Sequence, residues 1–292
     1  MFTAQNVKEL RDKTGAGMMD CKKALEASNG NMEDAITWLR EKGIAKAQKK
    51  AERIAAEGLT EAFVSSDTAV VLEVNCETDF VAKNEEFKNL IKSIGETLLD
   101  SEVSDLEDAN NVTLKGDSVT IGEAVVNFTA KIGEKISFRR FVRVNKASNE
   151  VFGTYSHMGG RITTLVTLEG NNESVAKDIA MHVAAMRPLF LDSASVDEAT
   201  LSKEREIYKE QAINSGKSAE IAEKMVDGRV KKYYKEVCLV EQPFIKDPDL
   251  SVAQYAKNNG CVVKSMVRYE VGEGIEKRSD NFAEEVRNQI NG

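Results

Sequence analysis

The sequence predicts an α+β protein in which an N-terminal bundle of three helices precedes a duplicated core of small antiparallel sheets with helices. Apolar residues recur at helical spacing through about residue 40, and the period becomes strand-like after residue 55. From there, one order of elements occurs twice: two β-runs, two helices and a closing β-run. The second copy also carries an inserted helical hairpin.

The first 40 residues contain three short helical patterns. The first holds Val7 and Leu10 and stops at a glycine break, residues 14–17. The second runs from about residue 18 to 27, and Asn31 is a suitable N-cap for the third. Three helices of this length form a minimal bundle with a small core.

A basic, alanine-rich segment follows the bundle. Its cationic residues are Arg40, Lys42, Lys46, Lys49, Lys50 and Arg53. Alanine and lysine are good helix formers, so we interpret the segment as a solvated helical linker. The alternative is a cationic surface that contacts an acidic partner.

The two copies of the core unit follow the same order. In the first copy the elements are β-runs at about 59–65 and 69–75, helices near 84–99 and 120–131, and a β-run at 136–144. In the second they are β-runs at 151–156 and 162–168, helices at 173–186 and 250–258, and a β-run at 261–271. An acidic, weakly patterned stretch, 100–111, separates the two helices of the first copy.

The insertion in the second copy, residues 196–236, reads as an antiparallel helical hairpin that turns at residues 214–217. Such a hairpin is either a surface for a partner or for self-association, or a structural arm. The predicted organisation is therefore a bundle, a linker, two core subdomains and a C-terminal module. Their boundaries are 1–40, 41–55, 56–146, 147–271 (with the hairpin) and 272–292.

Composition narrows the function classes. A net charge of −8 and a pI of about 5.2 argue against direct nucleic-acid binding. The sequence shows no signal peptide and no apolar stretch of about 18 residues, so no membrane association is expected. The four cysteines form no CxxC pair, which disfavours metal knuckles and dense disulfides. We expect a cytoplasmic protein with free thiols.

Catalytic and cofactor motifs are missing from the sequence. It has no Walker sequence, no GxGxxG after a strand and no GxSxG. Of the two histidines, His182 lies in a largely apolar helix and is expected to be partly buried, while His157 lies in a polar turn and is expected to be exposed. A nucleophilic pair of Cys76 and His157 is the enzyme alternative, although no orienting residue is recognisable. We therefore predict no enzyme, no catalytic residue, no cofactor and no metal ligand.

One turn stands out as a candidate binding element. The apolar strand 70–74 runs into Thr78-Asp79-Phe80-Val81, and an amphipathic helix begins a few residues later. Phe80 could staple its own helix, and Asp79 could favour the N-terminus of that helix by its charge. The functional interpretation is an aromatic anchor with an acidic neighbour, presented to another protein.

Two longer motifs point to a family. Residues 10–25 (LRDKTGAGMMDCKKAL) resemble the N-terminal signature of bacterial elongation factor Ts, and residues 73–83 (EVNCETDFVAK) resemble its second signature. Residues 272–276 resemble the C-terminal region of that family. The order and spacing of the motifs match, and the resemblance covers essentially the whole chain.

The resemblance implies a guanine-nucleotide exchange factor for elongation factor Tu, bound in its GDP and nucleotide-free states. The N-terminal bundle would be ubiquitin-associated-like, and the hairpin would correspond to the coiled-coil protrusion of the family. The implied partner-binding residues are Thr78, Asp79, Phe80 and Val81 near the magnesium site of the GTPase, and Arg11, Met18 and Met19 in the N-terminal unit. His157 is implied as a further contact, on a looser match.

Two alternatives remain beside the exchange factor. One is a ubiquitin-associated-type binding module on an unrelated scaffold, and the other is the cysteine hydrolase with Cys76 as nucleophile. Neither requires a Thr-Asp-Phe-Val turn, so the second signature distinguishes the exchange factor from both.

Overall fold

The computed structural model describes residues 2–216 and 218–276, and it confirms the α+β class. The described chain divides into two compact units. The first contains residues 2–61, 72–142 and 270–276, and the second contains residues 62–71 and 143–269. The predicted C-terminal module, 272–292, lies outside the described residues from position 277 onward.

The N-terminal bundle is built as predicted. Its helices are α1 (Ala4–Thr14), α2 (Met18–Ala27) and α3 (Met32–Gln48). Thr3 and Asn6 form a capping box at α1, Gly15 ends that helix with φ of 65°, and Asn31 caps α3. The small core consists of Val7, Leu10, Cys21, Ala24, Leu25 and Ala35.

The first copy of the repeat forms a three-stranded sheet with helices. Its strands, in the order β1-β2-β3, are Glu57–Val64, Thr68–Cys76 and Ser137–Asn145. Its helices are α4 (Asp79–Ala82), α5 (Glu85–Leu99), α6 (Leu106–Asn111) and α7 (Ile121–Ile132). α6 lies in the acidic stretch, where the sequence predicted no element. Its six residues are too few to show a helical period, although Asp105 caps it in the usual way.

The basic segment is helical only in part, because turns replace the helix at residues 49–53. Three of its cations already have acidic partners in the first unit. Arg40 pairs with Glu123, Lys46 Nζ lies 2.8 Å from Asp20 Oδ2, and Arg53 Nη1 lies 3.3 Å from Glu77 Oε1. These pairs favour a scaffold segment over a free cationic surface. The predicted domain boundary at residue 40 falls inside α3, and the division into domains stays a prediction.

The second copy repeats the first in strand order. Its sheet, β4-β5-β8, consists of Glu150–His157, Ile162–Glu169 and Val262–Glu270, and the helices that belong to it are α8 (Glu173–Met186) and α11 (Val252–Asn258). α8 packs very closely on the sheet, since a Cβ at Gly153 would lie 2.1 Å from the backbone carbon of Ala176. The third strand pairs with the second in both sheets, which supports the predicted duplication.

The insertion is a helical hairpin of α9 (Glu198–Asn214) and α10 (Ala219–Val237). Arg205 pairs with Asp227 at 3.0 Å, and Arg229 donates to Gln211 at 2.7 Å across the two helices. After it comes a two-stranded sheet that the sequence did not predict, β6 (Pro243–Phe244) and β7 (Asp247–Ser251). Strands this short carry too few residues to show alternation.

In the part of the chain that the structure describes, none of the helices has the length and apolar character that crossing a membrane requires.

The buried carboxylate of Glu73 organises one end of the first unit. It accepts hydrogen bonds from Arg139 Nη1 (3.0 Å), Arg140 Nε (2.6 Å), Asn75 Nδ2 (3.0 Å) and the Gly272 backbone N–H (2.8 Å). Burial raises the pKa of Glu73, but these hydrogen bonds outweigh it and hold the pKa below its ordinary value. The contacts join β2 and β3 to the turn after β8.

His182 forms a second buried polar junction, in the second unit, and is more deeply buried than the sequence predicted. Its Nε2 lies 2.9 Å from Gln242 Oε1, and its Nδ1 accepts the Ile245 N–H at 3.1 Å. With Nδ1 accepting and Nε2 donating, the imidazole is neutral. Burial lowers its pKa below the ordinary value, although the hydrogen bond to Gln242 opposes this.

This junction predicts an acid-dependent loss of stability. Because native His182 resists protonation, the unfolded state binds more protons below about pH 6.5, and the free energy of unfolding falls as the pH falls from there. His182→Leu should cost about 2 kcal/mol at pH 7.5, since two buried partners lose their hydrogen bonds, and should remove this part of the pH dependence. Urea unfolding at several pH values measures both. His157→Ala, the other histidine, is the control; equal loss of the pH dependence in that variant would contradict the assignment.

Candidate partner-binding site

The Thr78–Val81 turn lies between strand β2, which is buried along its whole length, and helix α5. Every residue of β2 is buried up to Cys76, and Thr78 then caps the four-residue helix α4. Asn84 accepts the Glu86 N–H at 2.8 Å and begins α5. The turn is thus fixed at both ends by regular elements.

Phe80 points out of this turn. It is 81% exposed, the highest value among the large hydrophobic side chains that the structure describes, while Val81 and Ala82 beside it are each only 7% exposed. The staple interpretation of Phe80 is therefore wrong, because a ring this exposed does not pack on the helix that follows. The neighbours hold the backbone, and the ring remains available for another molecule.

Thr78 is held by a residue distant in sequence. The Glu134 carboxylate accepts the Thr78 backbone N–H at 3.0 Å with one oxygen and the Thr78 hydroxyl at 2.8 Å with the other. Thr78 Oγ1 accepts in turn the Val81 N–H at 3.4 Å. The sequence analysis missed Glu134, since nothing local marks a residue that acts across 56 positions.

Asp79 is engaged within its own helix. Its Oδ2 lies 2.6 Å from Lys83 Nζ, one helical turn later, and both side chains are exposed. The hydrogen bond from Lys83 lowers the pKa of Asp79. This agrees with the interpretation of Asp79 as a charge that favours the helix, and it leaves the carboxylate at the surface beside Phe80.

Cys76 lies directly under the turn but is unsuited to nucleophilic chemistry. The thiol is fully buried and donates to the Thr78 carbonyl at 3.1 Å. Burial, with smaller contributions from Glu134 and Glu57, raises the pKa of Cys76 to about 12. A nucleophilic cysteine needs a thiolate at neutral pH. The burial and the raised pKa of Cys76 therefore argue against the hydrolase alternative.

Cys76→Ser should therefore retain the activity of the protein, because a hydroxyl can donate to the same carbonyl. We expect full activity in the assay described below and a loss of stability of about 1 kcal/mol, from exchanging a buried thiol for a hydroxyl. Complete inactivation with an intact circular dichroism spectrum would instead favour a role for the thiol in catalysis.

The residues implied in the N-terminal unit lie on the bundle surface. Arg11 is exposed in the last turn of α1, and Met18 and Met19, 47% and 63% exposed, begin α2 after Gly17. Exposed methionine side chains adapt readily to an apolar surface of a partner. These residues belong to the same unit as the Phe80 turn.

His157 belongs to the second unit. It is the last residue of β4, and the exposed ring stacks on Tyr155, whose hydroxyl lies 3.4 Å from His157 Nδ1. Met158 follows with φ of 51° and is also exposed. The predicted exposure of His157 is confirmed, but the residue ends strand β4 instead of lying in the turn that follows. Its role in binding stays a prediction.

Among the residues that the structure describes, no group of three or more histidine, cysteine, aspartate or glutamate side chains is arranged to hold a metal ion. What the site offers instead is an exposed aromatic ring on a braced turn. That arrangement is typical of proteins that act by binding another protein.

A comparison with known protein families narrows this class of binding proteins to one family. The model of the family described as elongation factor TS matches residues 77–273, which is more than half of the chain and includes the whole Phe80 turn. The chain therefore belongs to the elongation factor TS family, whose members take part in the elongation step of protein biosynthesis. The family in general acts as the nucleotide exchange factor for elongation factor Tu.

Proposed function

We propose that this protein is the guanine-nucleotide exchange factor for elongation factor Tu and that it acts by inserting the Asp79-Phe80 turn near the magnesium site of the GTPase. The observation that carries the proposal is the exposed Phe80 ring on a turn whose backbone is fixed by its neighbours. An apolar ring that contributes little to its own fold, held in one place, is suited to enter a partner.

The proposed mechanism is thermodynamic linkage. Magnesium bridges the phosphates of the nucleotide and offsets their charge, so displacing its ligands weakens nucleotide binding. If the factor binds the magnesium-free arrangement more tightly, then it lowers the affinity for GDP, and GDP lowers the affinity for the factor by the same ratio. GDP leaves, and GTP can bind. No bond in either protein is made or broken, so the factor itself need not be an enzyme.

Other residues would add contacts to the one made by the Phe80 turn. Arg11, Met18 and Met19 would contact the nucleotide-binding domain of elongation factor Tu, and His157 would supply a second contact from the other unit. The exposed carboxylate of Asp79 would either meet partner side chains or keep the turn in shape through Lys83.

Further expectations follow from the same proposal. The factor would bind both GDP-bound and nucleotide-free elongation factor Tu in the cytoplasm, with no direct nucleic-acid or membrane contact. The bundle would serve as a ubiquitin-associated-like domain, followed by the linker, the two core subdomains and the C-terminal module. The core or the α9–α10 hairpin would offer the surface for any self-association.

A nucleotide-chase experiment tests the proposal. Elongation factor Tu is loaded with fluorescent GDP, excess unlabelled GDP is added, and the release rate is followed with increasing amounts of this protein. We expect release to accelerate with concentration until it saturates. A release rate that stays at the intrinsic value at every concentration would reject the exchange function.

A further inference from the structure

We propose that Glu134 is a positioning residue for exchange, which completes the N-cap of α4 and so holds Phe80 in its presented position. This inference rests on the proposed function, because it assigns Glu134 a role in the action of the Phe80 turn. Glu134 itself need not touch the partner.

The first argument is an unmet hydrogen-bonding requirement at the cap. In a capping box, the side chain of the N-cap accepts the N–H of the third helical residue, and a Glu or Gln at that third position accepts the N–H of the N-cap. In α4 the third helical residue is Val81, which has no acceptor in its side chain. Glu134 takes its place, since it accepts the Thr78 N–H at 3.0 Å.

The second argument is that one carboxylate fixes the whole Thr78 residue. One oxygen of Glu134 holds the backbone of Thr78, and the other holds its hydroxyl at 2.8 Å. The side-chain rotamer of Thr78 is thereby set, with Oγ1 placed to accept from Val81. A charged acceptor makes both hydrogen bonds stronger than a neutral acceptor would.

The third argument is that α4 needs external support. Nucleating the first turn of a helix is unfavourable, and a helix of four residues adds too few further hydrogen bonds to offset that free energy. Such a helix therefore does not persist alone in water. Burial of Val81 and Ala82 supports one face of it. Phe80 contributes no such packing, so the direction of its ring depends on the backbone that Thr78 begins.

The segment that carries Glu134 is itself anchored on both sides. Gly133 ends α7 in the left-handed conformation, with φ of 86°, and its N–H binds the Thr129 carbonyl at 3.0 Å. On the other side, the Lys135 N–H donates to Glu77 at 2.5 Å, and the Ile136 N–H donates to the Thr129 hydroxyl at 3.2 Å. Glu134 therefore holds the turn from a fixed base.

The test compares Glu134→Ala, Glu134→Gln and the control Glu107→Gln, an exposed glutamate of α6. Backbone amide hydrogen exchange of the free protein reports the cap, and fluorescent GDP release from elongation factor Tu reports the function. For Glu134→Ala we expect exchange of the amides in residues 78–84 to accelerate about tenfold, with the rest of the chain unchanged, and GDP release at subsaturating factor to slow about tenfold. Glu134→Gln, which keeps one acceptor oxygen, should be intermediate in both, and Glu107→Gln should match the wild type.

The outcomes separate this inference from the proposed function. Wild-type GDP release tests the function, whereas amide exchange in the free protein tests the cap without any partner. Unchanged protection of residues 78–84 in Glu134→Ala would overturn the role of Glu134 in positioning, and so would slowed GDP release with protection intact. Faster amide exchange with unchanged GDP release would also overturn it, because the cap would then not matter for exchange. If Glu134→Ala loses protection throughout the chain, the Gln variant decides on the same criteria.

Discussion

Replacing Phe80 with alanine should slow the release of GDP from elongation factor Tu about 30-fold or more at subsaturating concentrations of the factor. The estimate follows from the loss of roughly 2 kcal/mol or more that is typical when a central aromatic anchor is truncated. The same change should leave the melting temperature of the free protein almost unaltered, because the ring is 81% exposed and packs on nothing that the fold needs. Nucleotide-chase kinetics and thermal unfolding measure the two effects.

A matched control is available in the second unit. Leu189 is 68% exposed, so Leu189→Ala also removes a large apolar side chain from the surface. We expect that variant to accelerate GDP release as the wild type does. Equal activity of the Phe80→Ala protein and the wild type would show that the turn does not act as a wedge, and equal loss in both variants would show that the effect is not specific to Phe80.

The largest effect on stability is expected at Glu73. Glu73→Gln should lower the free energy of unfolding by about 3 kcal/mol, because Arg139 and Arg140 would lose the buried carboxylate that offsets their charge. We take the lower end of the usual range, since both guanidinium groups are about a quarter exposed and keep part of their hydration. Denaturant unfolding at pH 7 measures this loss.

Glu73 should also affect how the free energy of unfolding depends on pH in the acidic range. The folded state lowers the pKa of Glu73, so the ionised carboxylate stabilises the protein above its ordinary pKa of about 4.5. That contribution is lost as the pH falls from there through the lowered pKa. The Gln variant should lack this part of the acid dependence.

The control for Glu73 is Glu123→Gln, which breaks the surface pair with Arg40. Exposed pairs contribute between zero and about 1 kcal/mol, so this variant should remain close to the wild type. A Glu73→Gln protein as stable as the Glu123→Gln protein would mean that the network around Glu73 is not a stabilising one.

The sequence predicted the scaffold well because its signals are local. The apolar run at 69–75, the amphipathic pattern of 84–99 and the cap at Asn31 each predict an element from neighbouring residues, and the structure has all three. The position of Phe80 between a buried strand and a helix likewise predicted an exposed ring. Local patterns could not decide whether Phe80 packs on its own helix as a staple or binds another protein as an anchor. Both interpretations place an aromatic residue near the start of a helix.

The polar contacts that the sequence did not predict join distant segments of the chain. Glu134 completes the cap of Thr78 across 56 positions, and Glu73 reaches Gly272 across 199. Neither residue differs in sequence from an ordinary surface glutamate. Hydrogen bonds of this kind are set by how helices and strands pack, which one sequence does not reveal.

The proposed action of the turn combines these two kinds of information. Strand β2 and helix α5 flank the turn and fix its position. The buried Val81 side chain anchors the inner face of the turn, and Glu134 accepts the Thr78 N–H at its start. The Phe80 ring itself contributes little to the stability of the fold. An exposed ring on a turn that is fixed in this way is suited to the wedge action proposed above.

The most direct test of this account measures GDP dissociation from elongation factor Tu over a range of free magnesium concentrations, with and without the factor. If the Asp79-Phe80 turn acts by weakening magnesium binding, then the factor should accelerate GDP release most at millimolar magnesium. The acceleration should fall several-fold when a chelator removes the ion, because the factor then has no bound magnesium left to displace. Phe80→Ala should show little acceleration at any concentration. An acceleration by the wild-type factor that is the same with and without magnesium would contradict the proposed mechanism.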